Sequence, residues 1–355
     1  MQQAQTTKSF SPPENPGASA KDILVLRRGD FRSFVLALGA LEALRTWHVR
    51  ARITLVATPD VEPFAKLCPF VDDVVVDLDH DDKTRRAAAL TALRRQSFDM
   101  VYDLDGSVES ETLLRGLKRR FGPVPVASGP TASATFSPAS KPGSVSEIQR
   151  LTGQLILAGV EFTKLPSPNL AWVRHKLGNP PRLTPEYFGI AGRFALVCVS
   201  SEAQGEERYW PQPAVASLCK TLAGAGITPV LIGDREAGSL AQSVEMSVRD
   251  AKNLVARADH AQSVALAGAA DVVIGVDSAA LQIAGIVGTP CLLVTDTKTA
   301  RSAIDTPYSA QFITVHAKKV ADVQSSTLWR MLTSWEQAGI AKPLEESPSN
   351  RHIGA

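Results

Sequence analysis

The segment ILVLRRGDFRSFVLALGAL, Ile23–Leu41, sets one carboxylate, Asp30, among the arginines Arg27, Arg28 and Arg32. An apolar run ends just before this loop and a periodic apolar segment begins just after it, as where a strand feeds a helix. The loop lacks the second and third glycines that cradle a phosphate in a nucleotide-type turn. A second strand-to-helix turn, GVDSAALQIAG, ends a run at Gly275 and starts a helix at Ser278, whose free backbone N–H groups can face an anion. Two Asp-x-Asp pairs, Asp77–Asp79 and Asp103–Asp105, each put both carboxylates on one strand face, a geometry that allows a metal. The six histidines are scattered singly, so no zinc site is expected. Gly-x-Ser-x-Gly and Gly-x-x-x-x-Gly-Lys-[Ser/Thr] are both absent from the chain, which disfavours hydrolase and P-loop chemistry. Arg115, Lys118, Arg119 and Arg120 fall near the end of one helical pattern. They serve that helix terminus, or attract an anionic lipid-linked molecule or the membrane surface.

The elements that must position these residues alternate along 355 residues, a length that favours two domains. Strand-like runs cover 23–26, 53–57, 74–78, 100–104 and 124–127, with helical patterns over 34–46, 61–67, 83–95, 109–118 and 145–157. A proline-rich stretch without sustained periodicity follows, and the alternation resumes with strands at 194–199, 229–232, 253–255, 272–275 and 291–294. Helices are expected there over 212–225, 236–247, 261–268 and 278–287. This pattern predicts an α/β fold of parallel sheets. The expected organisation is a disordered tail over 1–21, a first α/β domain over 22–165, a linker over 166–190 and a second domain over 191–319. A C-terminal helix over 320–340 and a flexible tail over 341–355 complete it.

With 44% hydrophobic residues, 21% charged residues and a net charge of +2, the composition argues against a dedicated nucleic-acid binder. Cys68, Cys198, Cys219 and Cys291 form no Cys-x-x-Cys pair and read as buried thiols of a reducing compartment. The first twenty residues contain no apolar signal region, and Asp271, Asp277 and Gly/Pro breaks interrupt the most apolar stretch. A cytoplasmic protein is expected, with peripheral contact at the inner face of the membrane.

Four stretches carry a resemblance: ILVLRRGDFRSFVLALGALEALR, FDMVYDLDGSVES, the Trp-Pro of RYWP, and GVDSAALQIAGIVGTP. In order and spacing, from Asp22 to Val294, the chain resembles glycosyltransferase family nine, the ADP-heptose:lipopolysaccharide heptosyltransferases. The resemblance implies two Rossmann-like domains facing a cleft (the GT-B fold), the first receiving the acceptor and the second the sugar nucleotide. It further implies inverting transfer of a sugar, typically a heptose, with neither metal nor cofactor. The donor would be a nucleotide sugar such as ADP-heptose, and the acceptor a lipopolysaccharide or related surface glycan.

In the family the base of the first loop is an Asp, and alignment on LALGAL puts Ser33 at its position and Arg32 where the family has Gly. Asp30 is then the carboxylate left to activate the acceptor hydroxyl; its other reading is a helix cap or an ion pair with Arg28 or Arg32. Asp105 lies in the family's Asp-Leu-Gln-Gly-Ser stretch, on the acceptor side with Arg32 and Ser33; the family residue at its position is not acidic, so no metal is expected there. On the donor side Arg208 replaces the family Lys before Trp-Pro and would hold the diphosphate. Asp277 and Ser278 match the family's Asp-Thr-Gly-x-x-His stretch, in which Ala279 replaces Gly and Gln282 replaces His; a plain cap is the other reading of Asp277. Glu236 falls where the family binds the ribose hydroxyls, or is a first-turn helix acid. The alternative function is a catalytically inactive protein of this fold that binds a sugar nucleotide or glycan.

Overall fold

The computed structural model describes residues 19–77, 83–121, 124–129, 134–137, 145–200, 209–296 and 312–337. Asp79, Arg208, most of the first tail, the last tail and the side chains of Lys118, Arg119 and Arg120 lie outside the described residues.

In the first half the chain runs β1 (Asp22–Leu26), α1 (Phe31–Trp47), β2 (Arg52–Ala57), α2 (Glu62–Ala65), β3 (Asp73–Val76), α3 (Lys83–Arg94), β4 (Met100–Asp103), α4 (Val108–Phe121), β5 (Val126–Ser128) and α5 (Glu147–Leu157). After α6 (Ala171–Leu177), the second half comprises β6 (Phe194–Val199), α7 (Gln212–Gly224), β7 (Thr228–Gly233), α8 (Gly238–Ser247), β8 (Lys252–Asn253) and α9 (His260–Ala269). It continues with β9 (Val272–Gly275), α10 (Ala279–Val287), β10 (Cys291–Asp296), β11 (Phe312–Ala317) and α11 (Ser325–Gln337).

The strands pair in parallel in two sheets, ordered β3-β2-β1-β4-β5 and β11-β10-β9-β6-β7-β8. Both orders reverse beside the first strand of their half, β1 or β6. In such sheets ligands bind outside the carboxyl ends of the strands at that reversal. The sequence dictates this layering directly. Ile23, Leu24, Val25 and Leu26 are all fully buried, the continuous apolar run of a strand covered on both faces. Phe34, Leu38 and Leu41 bury one side of α1 completely, each stabilising the fold by about 1.5–3 kcal/mol. Gly275 has φ +147°, and any Cβ there would collide with the carbonyl of Cys198 on β6. Only glycine lets β9 end so close to its neighbour, immediately before Val276 and Asp277.

Two sequence expectations change in the structure. The segment read as a linker without sustained periodicity contains α6 and two short 3₁₀ turns, Pro181–Leu183 and Pro185–Phe188. Leu170, Val173, Leu183 and Ile190 are buried in a core that also contains residues of α1, α9 and α10, so the two halves share apolar packing. The prolines break periodicity without preventing burial. β11, which the sequence reading omitted, pairs with β10 along its whole length.

All four cysteines are free and buried, and burial pushes the thiols of Cys68, Cys198 and Cys219 up to about 12. Among the described residues no helix is long and apolar enough to cross a membrane.

A candidate active site in the cleft between the halves

A cleft of about 1090 Å³ opens between the carboxyl ends of the two sheets. Its first wall includes Arg28, Asp30, Phe31 and Asp60; its second includes Glu236, Leu254, His260 and Ser278.

The first wall is built by the loop 27–33, and each arginine there has a separate task. Arg27, 4% exposed, donates through Nε and Nη2 to the carbonyl of Ser33, at 2.9 and 2.6 Å, and through Nη1 to the carbonyl of Leu104 and to Glu147. It thus ties both ends of the loop to β4 and α5. Burial works against the charge of Glu147, but Arg150 and Arg27 hold its carboxyl down at about 2. Arg28 pairs with buried Asp77 at 2.5 Å, while its backbone N–H donates to Asp105 at 2.8 Å. Asp105 therefore anchors the loop from beneath and does not line the cleft. Its carboxyl is raised, chiefly by burial. Asp103 accepts from Ser110, Ser128 and the N–H groups of Asp105 and Gly106. Both carboxylates of this Asp-x-Asp pair are engaged with protein groups. Among the described residues no cluster of three or more histidine, cysteine, aspartate or glutamate side chains could hold a metal.

Asp30 takes the N-cap of α1: its Oδ1 accepts from the backbone N–H of Ser33 at 2.8 Å. The residue is exposed and lines the cleft while it caps the helix; Arg28 and Arg32, its candidate ion partners, pair with Asp77 and Asp277. Ser33 itself spends its N–H on this cap and its carbonyl on Arg27, and it packs against Gly29.

On the second wall, Ser278 caps α10, its Oγ accepting from the N–H of Leu281 at 3.3 Å. The capping role open to Asp277 thus belongs to Ser278. Asp277, 8% exposed, accepts three hydrogen bonds from two partners: both oxygens accept from Arg32, one through Nε at 2.9 Å, and Oδ1 also accepts from Gln282 at 2.8 Å. Arg32, expected on the acceptor side, and Asp277, expected on the donor side, therefore meet each other. Neither lines the cleft. Burial opposes the charge of Arg32, yet Asp277 keeps the guanidinium raised. Glu236 stands in a 3₁₀ turn, Arg235–Ala237, ahead of α8, exposed and facing the cleft.

Sequence reasoning missed His260. An Asp259–Gln262 capping box starts α9 and makes His260 its first residue. The imidazole stacks on Phe31 with centroids 3.4 Å apart and planes at 10°, and its Nε2 lies 3.1 Å from Asp60. Phe64 and Trp172 extend this aromatic cluster. The capping box was a legible signal for the helix start; its meeting with Phe31 depends on how the halves dock.

Comparison with known proteins gives a consistent picture. The family model of glycosyltransferase family 9 (heptosyltransferase) matches residues 86–327. A curated putative glycosyltransferase of Haemophilus influenzae is 26% identical over 103 residues, spanning 28% of this chain and 30% of that protein's length. Among solved structures, E. coli ADP-heptose lps heptosyltransferase II superposes with a TM-score of 0.69 at 15% identity, over 90% of this chain and 99% of the other. E. coli heptosyltransferase WaaC with ADP-2-deoxy-2-fluoro heptose gives 0.66 at 17%, over 88% and 99%. At these identities the superpositions establish the two-domain GT-B fold.

Proposed function

The chain belongs to glycosyltransferase family 9, the heptosyltransferases, and from that premise we propose that it moves a sugar from a nucleotide-sugar donor to a lipopolysaccharide or related surface glycan. One observation carries the reading: a single cleft is lined by Asp30 from one sheet and by Glu236 and Ser278 from the other. A transfer between two substrates needs such a place, where groups of opposite function meet. ADP-heptose is the first donor to try, because the E. coli proteins of this fold are described with ADP-heptose and an ADP-sugar analogue.

In this account the nucleotide lies against the carboxyl ends of β7 and β9. Glu236 accepts from the ribose hydroxyls, and the N-terminus of α10 at Ser278 faces the diphosphate with Arg208 as its cation. Asp277 serves the donor side indirectly, by fixing Arg32 and the turn before α10. The acceptor hydroxyl enters from the first wall, contacting the Asp30 loop that Arg27, Arg32, Ser33 and Asp105 hold in place. Its oxygen attacks the anomeric carbon from the face opposite the diphosphate. The bond from that carbon to the phosphate oxygen breaks, the nucleoside diphosphate leaves with the electron pair, and Asp30 takes the hydroxyl proton. Configuration inverts in this single displacement. Positive charge from Arg208 and the α10 N–H groups stabilises the leaving group, so no metal is required. The reaction takes place on the cytoplasmic face of the inner membrane, where donor and lipid-borne acceptor meet.

The test is a calorimetric screen of nucleotide sugars followed by turnover with whichever binds. The reading expects a nucleoside diphosphate sugar to bind and to be consumed when acceptor is added. Binding without turnover across a panel of surface-glycan acceptors would overturn the transfer, and no binding at all would overturn the donor site.

A further inference from the structure

The stacked pair Phe31–His260 joins the two walls at a sensitive point. Phe31 opens α1 and directly follows Asp30; it is 5% exposed and also meets Phe64 edge-on at 5.0 Å. His260 opens α9, which is fixed in the second half by buried Ala261, Val264, Ala265 and Leu266. The ring is therefore a plate carried by the donor half, and the start of α1 rests flat upon it. Its Nε2 reaches across to Asp60, in the turn that follows β2 of the acceptor half. The neighbouring Thr58 hydroxyl donates to the carbonyl of Gly29, one residue before Asp30, at 3.3 Å. Both loops that flank the proposed base are thus referred to one imidazole of the opposite half. A phenylalanine ring could stack there but could not bind Asp60, and an amide side chain could bind Asp60 but could not stack.

We propose that His260 is a positioning residue, which sets Asp30 against the donor half by stacking on Phe31 and hydrogen-bonding Asp60. The proposal rests on the reading of Asp30 as the proton acceptor. The carboxyl of Asp60 is lowered, chiefly by its hydrogen bond to His260, with Arg235 adding a further attraction. A base must stand within hydrogen-bond reach of its hydroxyl, and a misplacement of about 1 Å costs up to about 10²-fold in rate.

The experiment uses the full chain with His260→Ala, His260→Phe, His260→Gln and Asp60→Asn. Three quantities are read: amide hydrogen exchange over 28–34 and 58–61 without ligand, affinity for ADP, and kcat with the donor found in the screen. In His260→Ala the exchange of both segments should rise by about tenfold or more. Its kcat should fall by about 10–100-fold, while ADP affinity stays within about twofold. His260→Phe and His260→Gln should each recover part of the loss, and Asp60→Asn, a change at an exposed side chain, should show a smaller effect of the same sign. Unchanged exchange in a folded His260→Ala would overturn the proposal. So would equal losses of ADP affinity and kcat, since those report general damage to the donor half. If the wild type transfers no sugar, the reading of function fails by itself, and the exchange data still decide whether His260 holds the two loops.

Discussion

Arg32 and Asp277 face each other across the boundary between the two halves, and the guanidinium engages both carboxylate oxygens. The side chains are 17% and 7% exposed, so the pair is largely removed from water. Breaking such a pair from one side leaves a charge stranded. Asp277→Ala should therefore destabilise the chain by about 3 kcal/mol in denaturant unfolding, the low end for a buried pair because Arg32 keeps some solvent contact. Arg32→Met with Asp277→Leu should cost clearly less than the two single losses summed. Additive losses would show that the pair contributes nothing as a unit.

In the proposed mechanism Asp30 has two separable tasks, and asparagine performs only one of them. Asparagine caps a helix as well as aspartate does, whereas alanine costs about 1 kcal/mol at such a position. Asp30→Asn should keep the unfolding midpoint and the donor affinity, and lower turnover by about 10²–10⁴-fold. Asp30→Ala should lower both turnover and stability. Full activity in Asp30→Asn would remove Asp30 as the base; if the natural chain is inert, turnover created by Ser33→Asp, which restores the family carboxylate, would mark it as a binder that has lost its base.

Arg208 precedes Trp210 and Pro211, and in this account supplies the charge that meets the donor diphosphate. Loss of one charged hydrogen-bond partner costs about 1.5–3 kcal/mol, so calorimetry on Arg208→Ala should show ADP binding weaker by at least about tenfold. An unchanged affinity would reject the assignment.

Stability should fall on the acid side in two stages. His48 is 3% exposed, its Nε2 lies 2.9 Å from the Tyr102 hydroxyl, and burial together with Arg45 lowers it to about 4. Its folded value lies below the ordinary 6.5. Its contribution is thus complete above about 6.5 and is lost as pH falls towards about 4. Glu147, held at about 2 against an ordinary 4.5, contributes above about 4.5 and is lost below it. Unfolding free energy measured against pH should decline through both windows. His48→Gln, which does not titrate, should flatten the upper one; an unaltered slope there would contradict the burial of a neutral imidazole.

Much of the fold is legible in the sequence because periodicity reports burial directly. β1 and β6 are continuous apolar runs, and their helices follow at recognisable starts. β11 escaped because Phe312, Ile313 and Thr314 are only half buried and Thr314 and His316 dilute the apolar signal, as suits a strand at the edge of its sheet. The helix and turns within the linker escaped because prolines mask the spacing of Leu170, Val173 and Leu183. Of the residues singled out in the sequence, Asp30 by its place after a strand and Glu236 and Ser278 by the family resemblance, all three line the cleft. Arg32 and Asp277 were read separately, 245 positions apart, as residues for two different substrates. Asp60 and His260 are 200 positions apart and carry no motif. Such pairs follow from the docking of two halves, which one sequence does not encode in any local pattern.

The most direct test of a metal-independent nucleotide-sugar transferase is a transfer assay in EDTA, with ADP-heptose and lipopolysaccharide core acceptor, reading released ADP and the anomeric configuration of the product. The account predicts ADP release that depends on acceptor, a product of inverted configuration, and no gain on adding magnesium or manganese. Activity that EDTA abolishes and a divalent cation restores, or a product of retained configuration, would contradict it.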